Sequence, residues 1–326
     1  MELALAQSTG SNRTWLGVAC GMGAGALWGL VFLAPELARA FTPLQLAIGR
    51  YLAFGLLSAL LIAPRWRALA AILTRRDWLA LAWLGLTGNT LYYILLSTAV
   101  QTGGIAMTSL VIGFLPVVVT IVGSRDNGAV PLRRLMPSLL LCGAGAVCIG
   151  WQALAVPAAG GSLIGLLCAI GALASWAAYA VGNSRALMRL AQVSVHDWNL
   201  LTGIVTGAQA VALIPVTLLF EPIRHDAGTW LHFAGVSFGV ALLASITGNA
   251  LWNRMSRLLP LTMVGQMILF ETLFALVYGF LWEQRLPHPL EIAAFGLVVA
   301  SVLSCIAAHR VRVTRPACSS PPPRRS

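Results

Sequence analysis

The chain has 326 residues, of which 58% are hydrophobic and only 10% are charged, and its mean hydropathy is +0.83. Soluble domains carry about 25% charged residues, so this composition excludes a soluble enzyme and a disordered protein. The formal net charge of +11 does not indicate a nucleic-acid partner. The basic residues, all of them arginine, stand in short gaps between apolar runs, and the expected surroundings are therefore a lipid bilayer.

Ten apolar runs of about 20 residues, the length that spans a bilayer as a helix, follow one another along the chain. They predict an all-α integral membrane protein with ten transmembrane helices. The runs lie near 15–34, 43–63, 78–99, 103–123, 135–152, 162–181, 198–219, 233–253, 262–282 and 289–308. Residues 1–14 are predicted to form a cytoplasmic N-terminus. Residues 309–326, rich in Arg, Pro and Ser, are predicted to form a disordered cytoplasmic tail.

Arginine is distributed unequally between the two sides of the predicted bundle. With the N-terminus placed inside, 17 of the 21 Lys and Arg positions fall in inside segments and three fall in outside loops. Loops of membrane proteins that face the cytoplasm carry an excess of basic residues. We therefore predict a multi-pass protein of the inner (plasma) membrane with both termini in the cytoplasm.

An internal repeat relates the two halves of the chain. The stretch TGNTLY at 87–92 recurs as TGNALW at 247–252, which aligns the third predicted span with the eighth. The repeat predicts two five-helix units, 15–152 and 162–308. Tandem copies with an odd number of spans face opposite ways across the membrane, and such inverted repeats are typical of secondary transporters, with the substrate bound at their interface.

Several motifs resemble the drug/metabolite transporter superfamily of the EamA type. They are the Gly-Ala-Leu-Trp stretch at 25–28, Pro116 within the fourth span, and the apolar run 270–283 that holds Glu271 and ends on Glu283. The resemblance covers about 15–308. It implies a helical bundle with a central cavity, alternating access, and export of an amino acid or a similar small metabolite.

Two other classes of protein remain as alternatives. An integral membrane enzyme should present clustered His, Asp or Arg at one membrane interface, and the basic loops here lack accompanying acids or histidines. A structural or receptor protein should carry an extramembrane domain for its partner. The sequence has no phosphate-binding loop and no metal-type Cys or His spacing, so we expect no catalytic residues, no cofactor and no metal. A coupling proton or ion stays open as a partner beside the small-molecule substrate.

Arg50 and Glu271 are the charges predicted to lie well inside spans. At 1.5 Å per residue they lie about 10 Å from the outer face and about 14 Å from the inner face, which brings them close in depth in a core of about 30 Å. Such charges usually face a cavity or a partner. They either form a gated pair or separately hold the carboxylate and amine of an amino acid. The alternatives are a structural ion pair and an Arg50 side chain that extends outward to the headgroups.

Polar and aromatic residues at i, i+3 and i+4 recur on one face of the third and eighth spans. These residues are Asn89, Tyr92 and Tyr93 in the third span and Asn249, Trp252 and Asn253 in the eighth. Amides flanked by aromatic rings suit a cavity wall that hydrogen-bonds a polar head and packs on an apolar body. The alternative is an interhelical amide contact.

Three further residues complete the predicted substrate site. Gln266 precedes Phe270 on one face of the ninth span, so it is expected to join the wall near Glu271. Trp28 and Trp176 lie deep in the first and sixth spans and are expected to line the same cavity, with simple packing as the alternative.

Overall fold

A computed structural model of the chain describes residues 2–126, 129–155, 163–220, 225–284, 286–287 and 289–310. All regular structure in these residues is helical. The α-helices are α1 (Glu2–Gly29), α2 (Ala34–Leu37), α3 (Pro43–Ile62), α4 (Trp66–Ile72), α5 (Arg75–Gly85), α6 (Leu91–Ile112), α7 (Leu115–Gly123), α8 (Leu132–Ala155), α9 (Leu163–Arg189), α10 (Val195–Phe220), α11 (Ala227–Val240), α12 (Asn249–Leu258), α13 (Leu261–Met267), α14 (Leu269–Glu283) and α15 (Pro289–Arg310). Most of the predicted tail, residues 311–326, lies outside the described residues.

Seven helical segments in the described part of the chain are long and apolar enough to cross a membrane. They are Asn12–Phe32, Pro43–Ile72, Arg75–Thr102, Leu163–Arg189, Val195–Phe220, Ala227–Leu258 and Ile292–His309. The protein is therefore an all-helical, multi-pass membrane protein. Seven of the ten predicted spans correspond to these segments, and the count of ten with its inverted repeat stays a prediction.

The fourth and ninth predicted spans are each divided between two helices. A turn at Gly113–Phe114 separates α6 from α7, and Pro116 stands in the first turn of α7. Proline lacks the N–H that would continue a helix and is accommodated at a helix start. The ninth span breaks at Ile268, between α13 and α14, and its apolar helical stretch among the described residues, Leu261–Ala275, is shorter than a full span.

Two segments of π-helix interrupt the third and eighth predicted spans. The first π segment, Leu86–Thr90, joins α5 to α6, and the second π segment, Ala241–Gly248, joins α11 to α12. The repeated Thr-Gly-Asn triplet lies at both of them, inside the first and across the end of the second. The repeat found in the sequence therefore marks a wider helical turn, a feature that often accompanies functional sites.

Helices from before residue 156 pack against helices from after residue 162. The main pairs are α3 with α10, α6 with α9, α8 with α15, α7 with α13, and α1 with both α12 and α14. The α3–α10 pair is close because Gly55 faces Gly207: a Cβ built on either would come within 2.7 Å of the other's Cα. Such small-residue contacts let membrane helices approach each other.

Candidate functional site

A central cavity of about 30 Å³ lies between α1, α3, the first π segment, α6, α9, α12 and α14. Its wall mixes charged, amide and aromatic side chains. The lining residues are Trp28, Val31, Arg50, Tyr51, Gly88, Asn89, Tyr92, Leu96, Trp176, Tyr179, Asn249 and Glu271. A volume of this size holds one or two water molecules, so the aromatic side chains must move apart before a larger molecule can enter.

Arg50 brings a positive charge to the cavity. It lies on α3, which begins with Thr42 and Gln45 in a capping box and Pro43 in the first turn. Only 7% of Arg50 is exposed. Its guanidinium carbon lies 5.1 Å from the ring centre of Tyr51 and 4.8 Å from that of Tyr93. These cation–π contacts stabilise a buried guanidinium without neutralising it, so its charge remains available to an anionic group.

Glu271 brings a negative charge to the same cavity. The break at Ile268 starts a new helix, and Glu271 therefore lies in the first turn of α14, where the helix dipole favours a carboxylate. Gly25 of α1 makes room for this turn. In the described part of the chain no hydrogen bond or ion pair engages the Glu271 carboxylate, although Arg50 is close enough to attract it. Both charges thus face the cavity without being paired to each other.

The two asparagines of the repeat contribute amides to the wall. The Nδ2 of Asn89, which is buried, has no hydrogen-bond partner among the described residues. The Oδ1 of Asn249 accepts a hydrogen bond of 3.1 Å from the indole N–H of Trp28. A buried donor without a partner carries a free-energy penalty that a bound acceptor would remove. The Asn89 Nδ2 is therefore a donor available to a ligand.

An aromatic cluster closes one side of the cavity. Trp28 lies edge-on to Trp176, with ring centres 5.8 Å apart, and Trp176 contacts Tyr92 at 6.3 Å and Tyr179 at 5.7 Å. Trp252 packs behind this layer, 4.9 Å from Trp28 and 5.2 Å from Trp176. The cluster offers an apolar surface next to the two charges.

The structure brings most of the predicted site residues to this cavity and leaves four outside its lining. Tyr93 lies against Arg50, and Trp252 supports the tryptophan layer. Asn253 accepts a hydrogen bond of 2.8 Å from Asn183. Gln266 lies between α7 and α15, where its Oε1 accepts a bond of 3.0 Å from the Ser301 hydroxyl. For the last two, the structure shows the interhelical amide contact that is the alternative reading of such residues.

Two tyrosines of the lining were not predicted as site residues. Tyr51 follows Arg50 directly in the sequence, and this adjacency to an arginine within a span could have identified it as a candidate site residue. Tyr179 covers Gly88: a Cβ built on Gly88 would overlap its ring. That contact depends on the packing of α9 against the first π segment and has no local signature.

A bundle of apolar helices around a buried cavity defines a multi-pass integral membrane protein. The sequence model of the EamA-like transporter family matches residues 15–151 and again residues 163–306. The chain belongs to this family and is therefore a membrane transporter and not an enzyme. The predicted resemblance to the EamA type of the drug/metabolite transporter superfamily is confirmed.

Two comparisons with individual proteins agree with this assignment. The chain is 31% identical over 316 residues to the inner membrane protein YtfF of Escherichia coli (strain K12), a match that covers 90% of this chain and 95% of that protein. A protein of known crystal structure superposes with a TM-score of 0.67 over 90% of this chain and 98% of its own, at 20% identity. The second likeness concerns the fold alone.

Proposed function

We propose that this transporter carries an amino acid or a similar zwitterionic metabolite, and that it exports this substrate by alternating access. The observation that carries the proposal is the presence of unpaired charges of both signs in one buried cavity. Arg50 and the free Asn89 amide suit a carboxylate, and Glu271 suits an ammonium group. The tryptophan layer suits an apolar or aromatic side chain. A substrate with one charge would leave the opposite cavity charge unpaired.

Analogues that each lack one charge test the substrate class. Binding of phenylalanine, phenethylamine and 3-phenylpropanoate to the purified protein should show that the amino acid binds more tightly than either analogue. A charge-assisted hydrogen bond contributes about 1.5–3 kcal/mol, so the difference should be roughly 10- to 100-fold. Counterflow of radiolabelled amino acid in proteoliposomes, with and without a proton gradient, then tests transport and its coupling. Equal affinities for all three compounds would contradict the proposal.

Tyr92→Ala is expected to weaken substrate binding more than Trp252→Ala does. Tyr92 lines the cavity, whereas Trp252 packs behind it. Loss of an aromatic contact removes about 0.5–1.5 kcal/mol beyond the lost area, so the apparent KM of Tyr92→Ala should rise several-fold. Trp252→Ala, which removes a side chain only 1% exposed, should instead lower the thermal midpoint. Concentration-dependent uptake and a thermal-shift assay separate the two effects, and an unchanged KM for Tyr92→Ala would contradict a role in binding.

Alternating access requires an end of the bundle that closes, and three ion pairs among the described residues join the helices at the arginine-rich end. They join Arg189 to Asp77 at 2.8 Å, Arg65 to Asp197 at 3.0 Å and Arg185 to Asp126 at 2.7 Å. Each pair joins a residue of 15–151 to a residue of 163–306, the two stretches that the family model matches. Separation of these stretches at this end would break all three pairs.

A series of buried side-chain hydrogen bonds links α9, α10 and α12. The indole N–H of Trp198 on α10 donates to Asn183 Oδ1 on α9 at 2.8 Å, and Asn183 Nδ2 donates to Asn253 Oδ1 on α12 at 2.8 Å. All three side chains are at most 2% exposed. Hydrogen bonds away from water favour a single arrangement of these helices. These hydrogen bonds therefore support the closed form of the arginine-rich end.

Asp77→Asn is expected to open the closed end, and Asp126→Asn is the matched control. Asp77 keeps 7% of its side chain exposed and Asp126 keeps 39%. Exposed ion pairs contribute about 0–1 kcal/mol to stability, because water and salt screen the attraction between their charges. The more exposed Asp126 pair should therefore contribute less than the Asp77 pair. In a background without the native cysteines, a cysteine placed at Leu190, which is buried next to Arg189, should react faster with a thiol reagent from the cytoplasmic side in Asp77→Asn, with little change in Asp126→Asn. Equal rates in both variants would contradict a closing role for the Asp77 pair.

The orientation of the bundle predicts which end reacts from outside the cell. Ala40, in the exposed turn before α3, lies in the first predicted outside loop. Arg76, at the start of α5, lies in the predicted inside loop that follows the second span. In a background without the six native cysteines, a membrane-impermeant thiol reagent on intact cells should label Ala40→Cys and spare Arg76→Cys. The inverse labelling pattern would overturn the cytoplasmic placement of both termini.

A further inference from the structure

The guanidinium of Arg50 is held by a side chain of the second π segment. Arg50 Nε donates a hydrogen bond of 3.1 Å to the Ser245 hydroxyl oxygen, and Ser245 is fully buried. The rings of Tyr51 and Tyr93 hold the group by cation–π contacts. The Ser245 bond uses only Nε, so it leaves the two terminal nitrogens, which are the pair that can face a carboxylate, to other partners. The direction in which Arg50 presents its charge therefore depends on the position of Ser245.

Ser245 is in turn fixed by Asn199 of α10. Asn199 Nδ2 lies 3.3 Å from the Ser245 carbonyl oxygen and 3.0 Å from that of Ile246, and it donates to both. Asn199 is 1% exposed and does not line the cavity. The backbone carbonyls of a π segment are not paired as in an α-helix, so a side-chain donor fixes their direction.

The first π segment is held in a similar way by the same helix. Gln209 of α10 donates from Nε2 to the Ala82 carbonyl oxygen at 2.9 Å, and its Oε1 accepts a bond of 2.7 Å from the Thr90 hydroxyl. One helix thus holds both π segments through an amide side chain. The contact made by Asn199 therefore has a counterpart at the other π segment, made by Gln209 of the same helix.

We infer that Asn199 is a positioning residue for substrate recognition. It holds the second π segment so that the Ser245 hydroxyl aims the Arg50 guanidinium at the substrate carboxylate. The inference rests on the proposed function, because it requires a substrate with a carboxylate. Asn199 is assigned an effect on binding of that carboxylate and not on binding of the rest of the substrate. Loss of the Asn199 amide should therefore weaken binding of ligands that carry a carboxylate and leave binding of the matching amines unchanged.

The test compares phenylalanine and phenethylamine, which differ by the carboxylate, as ligands of the purified full-length protein. The measured quantity is the ratio of their dissociation constants. Asn199→Ala and Ser245→Ala should each raise the Kd of phenylalanine about tenfold and leave the Kd of phenethylamine within about twofold. Ser245→Thr keeps the hydroxyl and should retain the wild-type ratio.

Asn183→Ala is the matched control for a general loss of packing. Asn183 is also 1% exposed and makes two side-chain hydrogen bonds, to Trp198 and Asn253, and among the described residues no hydrogen bond joins its side chain to Arg50 or to the second π segment. Any reduction in stability from this control should change both dissociation constants alike and leave their ratio unchanged.

The outcomes separate the inference from the proposed function. A wild-type protein that binds both compounds equally contradicts the proposed substrate class, and with it the inference. A wild-type preference for phenylalanine that survives in both Asn199→Ala and Ser245→Ala supports the proposed function and overturns the role of Asn199. If Asn199→Ala does not fold, the ratio in Ser245→Ala, read against Ser245→Thr, decides the inference, because the hydroxyl is the link to Arg50.

Discussion

Replacing Glu271 by Gln is expected to reduce transport severely while the protein still inserts and purifies as a single species. The carboxylate is without a hydrogen-bond partner in the described part of the chain and faces the cavity, so we expect the fold to tolerate the loss of its charge. Glutamine keeps the shape and removes the charge. Uptake into proteoliposomes should fall by roughly 10- to 100-fold, the effect of one lost charge-assisted hydrogen bond.

The control for this prediction is the pair of variants Arg50→Gln and Arg50→Gln with Glu271→Gln. If the two charges form a structural ion pair, removal of one leaves the other buried and unpaired, at a penalty of about 3–5 kcal/mol. Both single variants would then lose thermal stability, and the double variant would regain it. If the charges bind substrate, the double variant stays inactive and all three keep a thermal midpoint near that of the wild type. Recovery of stability in the double variant alone would show that the pair is structural.

Gly25→Ala is expected to reduce stability and transport together. Gly25 lies where α1 crosses the start of α14, and a Cβ there would come within 2.6 Å of Phe270 Cβ and 2.7 Å of the Glu271 backbone nitrogen. A Cβ and a backbone nitrogen cannot move away by a side-chain rotation, so the whole first turn of α14 would have to shift. Overpacking of this kind destabilises by about 1–3 kcal/mol, and the displaced turn carries Glu271 with it. A lower thermal midpoint and reduced uptake should therefore appear in the same variant.

Gly23→Ala, two residues away on the same helix, is the matched control. A Cβ at Gly23 would meet only the end of the Leu251 side chain, at 3.1 Å, and that side chain can rotate away. The thermal midpoint and the uptake of Gly23→Ala should stay close to the wild-type values. A similar loss in both variants would indicate that α1 tolerates no added side chain, and would remove the specific link to Glu271.

The ion pairs also bear on the predicted placement of the loops. Arg65, Asp77, Asp126 and Arg185 stand in gaps that the arginine count puts on the inside, and the structure gathers them at one end. At the other end His232 Nε2 lies 2.9 Å from the Leu37 carbonyl oxygen. The alternation of the loops thus agrees with the contacts, and the labelling experiment at Ala40 and Arg76 tests which end is cytoplasmic.

The amino-acid sequence by itself determined the class of this protein. Long apolar runs have no alternative to a membrane, because a helix satisfies its own backbone hydrogen bonds in lipid and water is absent there. The same reasoning made Arg50 and Glu271 candidates, since a charge within an apolar run is too costly to face lipid. The repeated Thr-Gly-Asn triplet could be read as a repeat without any knowledge of its conformation.

Only the tertiary structure decided how these residues act together. Donors from other helices bond the carbonyl oxygens of both π segments: Asn199 Nδ2 donates to Ile246 in the second, and the Ser175 hydroxyl donates to Thr87 in the first at 2.7 Å. Asn253 and Gln266 carry the same carboxamide group as Asn89 and stand in similar apolar surroundings in the sequence. Packing gave them partners on neighbouring helices and left the Asn89 Nδ2 without one. Whether a buried amide joins helices or binds a ligand is therefore settled by its neighbours in space, which a sequence pattern does not contain.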